Sequence, residues 1–189
     1  MSRPLHLVVL SGNTSRPSKS RALGKAIADR LGADLPLRVR DLDLAEAGPG
    51  LGAAFDRDGL DPAAAAVVAA VEAAEALVVS TPVYRGSYPG LFKHLFDLVA
   101  PETLAAKPVL LAATGGGHRH ALVVEHQLRP LFAFFSAAVG PTAVYAAESD
   151  FHDGVPADRQ LHARIDLAVR HFRPLLAPPE EQWRRAAVG

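Results

Sequence analysis

The run Ala76-Leu77-Val78-Val79-Ser80-Thr81-Pro82-Val83-Tyr84-Arg85-Gly86-Ser87-Tyr88-Pro89-Gly90 decides the fold. Ala76 to Val79 carries no polar residue, as expected of a strand covered on both faces. After Ser80 the chain turns sharply, and a helix opens at Pro89-Gly90. A strand ending in a loop that starts a helix is half of a βαβ unit. In an open parallel sheet, ligands bind just beyond the carboxyl ends of such strands.

The rest of the chain repeats that pattern. Leu5 to Leu10 reads as a first strand, and Ser20 to Leu31 as a helix with Leu23, Ile27 and Leu31 on its buried stripe. Leu35 to Val39 alternates apolar and polar, which predicts a second strand nearer an edge. Asp41 to Gly59 is glycine-rich and contains Pro49, a long loop or a broken helix. Asp61 caps a helix that starts at Pro62. Ala76 to Ser80 is strand three, and Gly90 to Val99 the next helix. Pro108 to Thr114 is strand four, Ala121 to Val139 a helix, Thr142 to Ala146 strand five and Pro156 to Phe172 the last helix. The alternation predicts an α/β fold, a five-stranded parallel sheet with helices on both faces. Residues 1–173 read as one domain and 174–189 as a tail.

Three loops fall at the carboxyl edge of this sheet. The first, Ser11 to Arg21, is rich in hydroxyls and holds Arg16, Lys19 and Arg21 at a helix start. Helix N-termini offer free N–H groups and partial positive charge, so Ser11, Asn13, Ser18, Lys19 and Ser20 form a candidate phosphate cradle. The loop is neither G-x-G-x-x-G nor a P-loop. The second loop offers Pro82, Val83, Tyr84, Arg85, Gly86 and Ser87. The third, Thr114-Gly115-Gly116-Gly117-His118, carries three glycines, expected where φ is positive or where backbone approaches a ligand closely. Each loop alone is also readable as an ordinary turn. Together they point to a ligand with a phosphate and a flat ring, a flavin.

The 189 residues contain no cysteine, which excludes thiolate and Cys-ligated metal chemistry. If the chain does redox chemistry, its electrons must then pass through a bound organic cofactor. Twenty basic and twenty acidic residues cancel, so no nucleic-acid partner is indicated. No apolar run reaches the ~18 residues of a membrane span, and no signal-peptide core precedes the first strand. The expected location is cytoplasmic. His118, His120 and His126 lack a carboxylate at partnering spacing, since Glu125 points elsewhere on its helix, so no metal is assigned. Pro130 lies inside the predicted helix Ala121 to Val139 and cannot donate to the carbonyl of His126. A kink or π-bulge is expected there.

The motifs Ser11-Gly12-Asn13 through Ser18-x-Ser20-x-x-Leu23, then Thr81-Pro82-Val83-Tyr84-x-Gly86-Ser87-Tyr88-Pro89-Gly90-Leu91-x-Lys93 and Thr114-Gly115-Gly116, resemble the flavodoxin-like NAD(P)H-dependent FMN reductases. The likeness spans Leu5 to Phe172. Ala113 to Gly116 and Leu122 to Leu131 resemble the reductases of two-component alkanesulfonate and methanesulfonate monooxygenases in particular. The resemblance implies hydride transfer from NADPH or NADH to N5 of FMN. Reduced FMN would pass to a flavin-dependent monooxygenase, and the chain would assemble as a homodimer or homotetramer. It places the ring between Pro82–Ser87 and Thr114–His118. It also implies a π-helix at a subunit interface, with His126 tuning flavin transfer and the bulge favouring exchangeable flavin. Asn13 stands where a small residue is usual and Ser15 where Arg is frequent, so Lys19 or Arg16 is expected to supply the charge. Two rivals remain: a reductase of quinones, azo dyes or metal oxyanions with firmly held FMN, and a flavodoxin-like electron carrier.

Overall fold

Four parallel strands lie neighbour to neighbour in the computed structural model, which describes residues 3–176. They are β1 (Leu5–Ser11), β2 (Leu37–Asp43), β3 (Ala76–Pro82) and β4 (Pro108–Gly115), in the order β2-β1-β3-β4, all parallel. The fifth position is shared by two short strands, β5 (Ala138–Val139) and β6 (Val144–Ala147), both parallel to β4. The order is that of the flavodoxin-like doubly wound sheet, whose direction of winding reverses between β1 and β3.

Alternation along each strand divides the core. Leu7, Val9, Ala76, Val78, Leu110 and Ala112 face helices α1 (Lys19–Gly32) and α6 (Arg159–Phe172). Val8, Leu10, Val79, Val109 and Leu111 face the opposite layer. That layer holds α2 (Leu44–Ala53), α3 (Pro62–Ala73), α4 (Gly90–Asp97) and α5 (Arg129–Phe134). Asp61 caps α3 by accepting the Ala64 N–H at 2.8 Å, with Pro62 in the first turn. Gly48 (φ 70) and Pro49 break α2 in the middle, as the glycine content of that stretch implies.

Four boundaries differ from the sequence reading. Strand β2 continues to Asp43, four residues past Val39, because each added residue keeps pairing with β1 up to Ser11. The helix expected over residues 121–139 ends at Phe134; Ser136 takes left-handed backbone (φ 54), and Ala138 crosses to pair with Pro108. The fifth strand is split because Pro141 has no N–H for the ladder: Gly140 donates to Val109 at 2.9 Å, and pairing resumes only at Val144. The last helix starts at Arg159 rather than Pro156, since β7 (Phe151–His152) and β8 (Val155–Pro156) form a hairpin first. The expected tail lies outside the described residues beyond Leu176.

One polar support was invisible in the sequence. The buried Lys107 ammonium donates to the carbonyls of Val71 (3.0 Å) and Glu72 (2.7 Å), where α3 leaves its last carbonyls unpaired. Burial pushes it down to about 8, against the pull of the Glu72 carboxylate. The native state therefore releases this proton near pH 8, whereas the unfolded chain holds it to about pH 10.4. Between those values the unfolded chain binds more protons, so Lys107 adds stability as pH rises. Comparing unfolding free energies of the parent and Lys107→Met should show the parent gaining of order 1–3 kcal/mol from pH 8 to pH 10. A difference that stays flat over that range would refute the shift.

Candidate functional site

The switch between β1 and β3 opens a crevice at their carboxyl ends. Gly12 continues the ladder, its N–H donating to the Ser80 carbonyl at 2.8 Å. A Cβ at Gly12 would stand 2.4 Å from Thr81 Oγ1, so only glycine fits between the strand ends. Ser18 caps α1 by accepting the Arg21 N–H at 3.2 Å, which leaves its own O–H to donate elsewhere. The N–H groups of Lys19 and Ser20, in the first helical turn, have no intrahelical acceptor. Ser20 Oγ lies 2.6 Å from Thr114 Oγ1, joining the first loop to the third. Ser11 Oγ and Asn13 Oδ1 are buried without a partner.

The cations of this loop are already engaged. Asp43, fully buried at the end of β2, accepts two hydrogen bonds from Arg16 (2.8 and 2.9 Å), one from Arg21 (2.9 Å), one from Asn13 Nδ2 (3.1 Å) and the Glu46 N–H (2.9 Å). Burial works to raise this carboxyl. The bonds from Arg16, Asn13 and the Glu46 N–H outweigh it and hold the group below the usual carboxylate range. Lys19 pairs with Glu148 at 2.5 Å. Neither Arg16 nor Lys19 is thus a free charge for a phosphate, unlike the expectation from the sequence. The candidate cradle offers hydroxyls and helix N–H groups beside these ion pairs.

The second loop is a two-residue turn. Tyr84 N–H donates to Ser87 O at 2.7 Å and Ser87 N–H to Tyr84 O at 3.2 Å. Arg85 (φ 54) and Gly86 (φ 86) both take left-handed backbone, the requirement of a type I′ turn. The Val83 N–H donates to Thr114 O at 2.8 Å, which joins the second loop to the third, and Tyr84 is half exposed above the joint.

The three glycines divide by role. None has the positive φ that was one reading of the run, and Gly117 is extended (φ −173). Gly115 is demanded by packing, since a Cβ there would stand 2.3 Å from Tyr145 Oη. That phenol donates to the Gly117 carbonyl at 2.6 Å and fixes the loop. Gly116 and Gly117 instead face open space, a flat floor of backbone.

Pro130 has the consequence expected of it. Val124–Leu128 form a π-helical turn, closed by the Arg129 N–H donating five residues back to Val124 O, and Pro130 sits in the first turn of α5. His126 is exposed on that turn. Its neighbour Gln127 accepts a hydrogen bond from Ser87 Oγ at 3.1 Å, so the π turn touches the second loop. His118 is exposed, and His120 accepts from Arg119 at 3.2 Å. Among the described residues, no three or more His, Asp or Glu side chains are grouped to hold a metal ion. Sequence reasoning missed Asp43, Gln127, Tyr145 and Glu148. Each acts through a side-chain or carbonyl partner at least 22 residues away, and no local motif signals such contacts.

Orphaned buried polar atoms, unpaired helix N–H groups and an open glycine floor beside an aromatic turn suit a phosphate joined to a flat ring. The comparisons agree. Residues 5–152 match the NADPH-dependent FMN reductase family. The chain is 50% identical over 175 residues to the NADH-dependent FMN reductase SfnF of Pseudomonas fluorescens (strain Pf0-1), covering 93% of this chain and 94% of that one. It is 46% identical over 181 residues to an FMN reductase (NADPH) of Pseudomonas aeruginosa, covering 96% and 97%. A solved oxidoreductase from Corynebacterium diphtheriae superposes with a TM-score of 0.83 at 34% identity, covering 93% and 98%. A flavodoxin from the domain Archaea superposes at 0.60 with 11% identity over 92% of this chain and 100% of its own, a likeness of fold alone. The chain belongs to the NADPH-dependent FMN reductase family and is an oxidoreductase that uses FMN and a reduced nicotinamide nucleotide.

A methyl group at Gly116 meets nothing in the protein. Gly116→Ala is therefore expected to leave the melting temperature unchanged while weakening FMN binding at least tenfold, about the cost of overpacking a fitted contact. Unchanged FMN affinity by fluorescence titration would show that the ring does not lie on this floor.

Proposed function

We propose that this enzyme treats FMN as an exchangeable substrate and supplies reduced FMN to a two-component sulfonate monooxygenase. The observation that carries the reading is the hydrogen bond from Ser87 Oγ to Gln127 Oε1. It couples the ring-binding turn to a π-helical segment, a less regular and more easily rearranged element than an α-helix. When bound, FMN supplies a two-electron acceptor for the hydride of NADH or NADPH. The protein's part is placement. Ser11, Asn13, Ser18 and Ser20, with the N–H groups of Lys19 and Ser20, hold the phosphate end. Pro82 to Ser87 and Thr114 to His118 hold the ring. His126, exposed on the π turn, tunes the exchange. The monooxygenase and its sulfonate enter through the resemblance of residues 113–116 and 122–131.

Steady-state oxidation of NADH and NADPH across a titration of free FMN tests the reading. Purified protein should be colourless, and the rate should rise from near zero and saturate with added FMN. Firmly yellow protein, turning over quinone at a rate indifferent to added FMN, would overturn exchange in favour of a fixed cofactor.

The same reading makes the chain a cytoplasmic homodimer or homotetramer. Among the described residues no helix is long and apolar enough to cross a membrane. Phe134 (73% exposed) borders an apolar cleft with Phe96, Pro130, Leu131 and Phe135, beside the π turn, a face suited to a second copy. Sedimentation should therefore return a dimer or tetramer, and a monomer at micromolar concentration would remove this part of the proposal.

A further inference from the structure

Lys19 is the first residue of α1, between the Ser18 and Ser20 hydroxyls of the candidate cradle, yet its ammonium is engaged by Glu148 at 2.5 Å. Glu148 directly follows β6, whose last residue, Ala147, pairs with Gly115 at the start of the glycine floor. The pair therefore joins the first loop to the far wall of the crevice. The ring of Phe151 lies 6.0 Å from the same ammonium, so the lysine is held from two sides. We propose that Glu148 sets how tightly the flavin phosphate is held, by keeping Lys19 neutralised and away from the cradle. The inference rests on the reading of Ser11 to Ser20 as that cradle.

The other cations of the first loop show why this pair is the adjustable one. Arg16 and Arg21 meet at the fully buried carboxylate of Asp43, a pairing that is costly to break. The side chains of Lys19 and Glu148 are 37% and 68% exposed, so water can replace either partner at little cost. Asp150, two residues further on, is tied instead to the Ala147 N–H at 2.8 Å. The bond from Lys19 holds the Glu148 carboxyl below its usual range, which keeps it charged at neutral pH. A charged carboxylate beside the cradle acts twice against a phosphate: it occupies the one loosely held cation, and it repels the anion directly.

Fluorescence titration of FMN and of riboflavin, which has the same ring but no phosphate, tests the assignment in the parent, Glu148→Gln and Glu148→Gln with Lys19→Met. In Glu148→Gln the dissociation constant for FMN should fall about fivefold, the scale of one exposed charge contact, while that for riboflavin stays within twofold. Adding Lys19→Met should abolish the gain, and raising the salt concentration should shrink it. Asp29→Asn removes an exposed carboxylate ten residues along α1, about 15 Å away, and should leave the FMN constant within twofold. An unchanged or higher FMN constant in Glu148→Gln would overturn the proposal, as would a gain that persists without Lys19. An equal gain in Asp29→Asn would overturn it by tracing the effect to net charge, and an equal gain for riboflavin by tracing it to the ring loops. A parent that binds riboflavin as tightly as FMN would refute the cradle itself, a result distinct from a phosphate-dependent affinity that ignores Glu148.

Discussion

The carboxylate of Asp43 is the constraint around which the phosphate end is arranged. A fully buried charge is costly unless several donors meet it, and here Arg16, Arg21, Asn13 and the Glu46 N–H all do. The first loop is thereby tied to the end of β2 and to the start of α2, two elements it does not adjoin in sequence. The same bonds hold Arg16 and Arg21 on the inner side of the loop. What remains for an incoming phosphate is neutral: hydroxyls, helix N–H groups and an amide. Neutral donors form weaker bonds to an anion than a free guanidinium does.

At the ring end, order comes from backbone geometry instead of charge. The type I′ turn places Arg85 in left-handed backbone, tolerable for a non-glycine residue only where the flanking pairing over-determines it. That pairing is the two backbone hydrogen bonds exchanged by Tyr84 and Ser87. Tyr145 does the corresponding service for the third loop by holding the Gly117 carbonyl. The floor is thus rigid below and bare above, a surface that costs a flat ring little to occupy.

Much of this was legible in the chain. The βα alternation, the capping of α3 by Asp61 and Pro62, the break in α2 and the bulge before Pro130 are all local effects, each written within a few residues. The three ligand loops were legible for the same reason, as sequences that end strands and start helices. The fates of Arg16 and Lys19 were not, because they depend on Asp43 and Glu148, far along the chain. The split of the fifth strand required knowing that residues 138–139 reach β4 ahead of Pro141. Lys107 carries no local signal, because its partners are carbonyls at the end of α3, some 35 residues earlier. Local chemistry pointed to the candidate site, and only tertiary partners show which of its groups are already paired.

The π turn connects these two kinds of order. Its far side is anchored by Arg129, which bonds Glu125 through two nitrogens and reaches the Gly140 carbonyl at 3.1 Å, just before the break in the fifth strand. On the other side Gln127 accepts one hydrogen bond from Ser87, while Val124 and Leu128 are buried in the core, so the turn is seated from both sides. Ser87 belongs to the second candidate loop. Val83 and Thr114 join that loop to the third, and Ser20 and Thr114 join the third to the first, so this one bond ties the π turn to all three loops of the sheet edge.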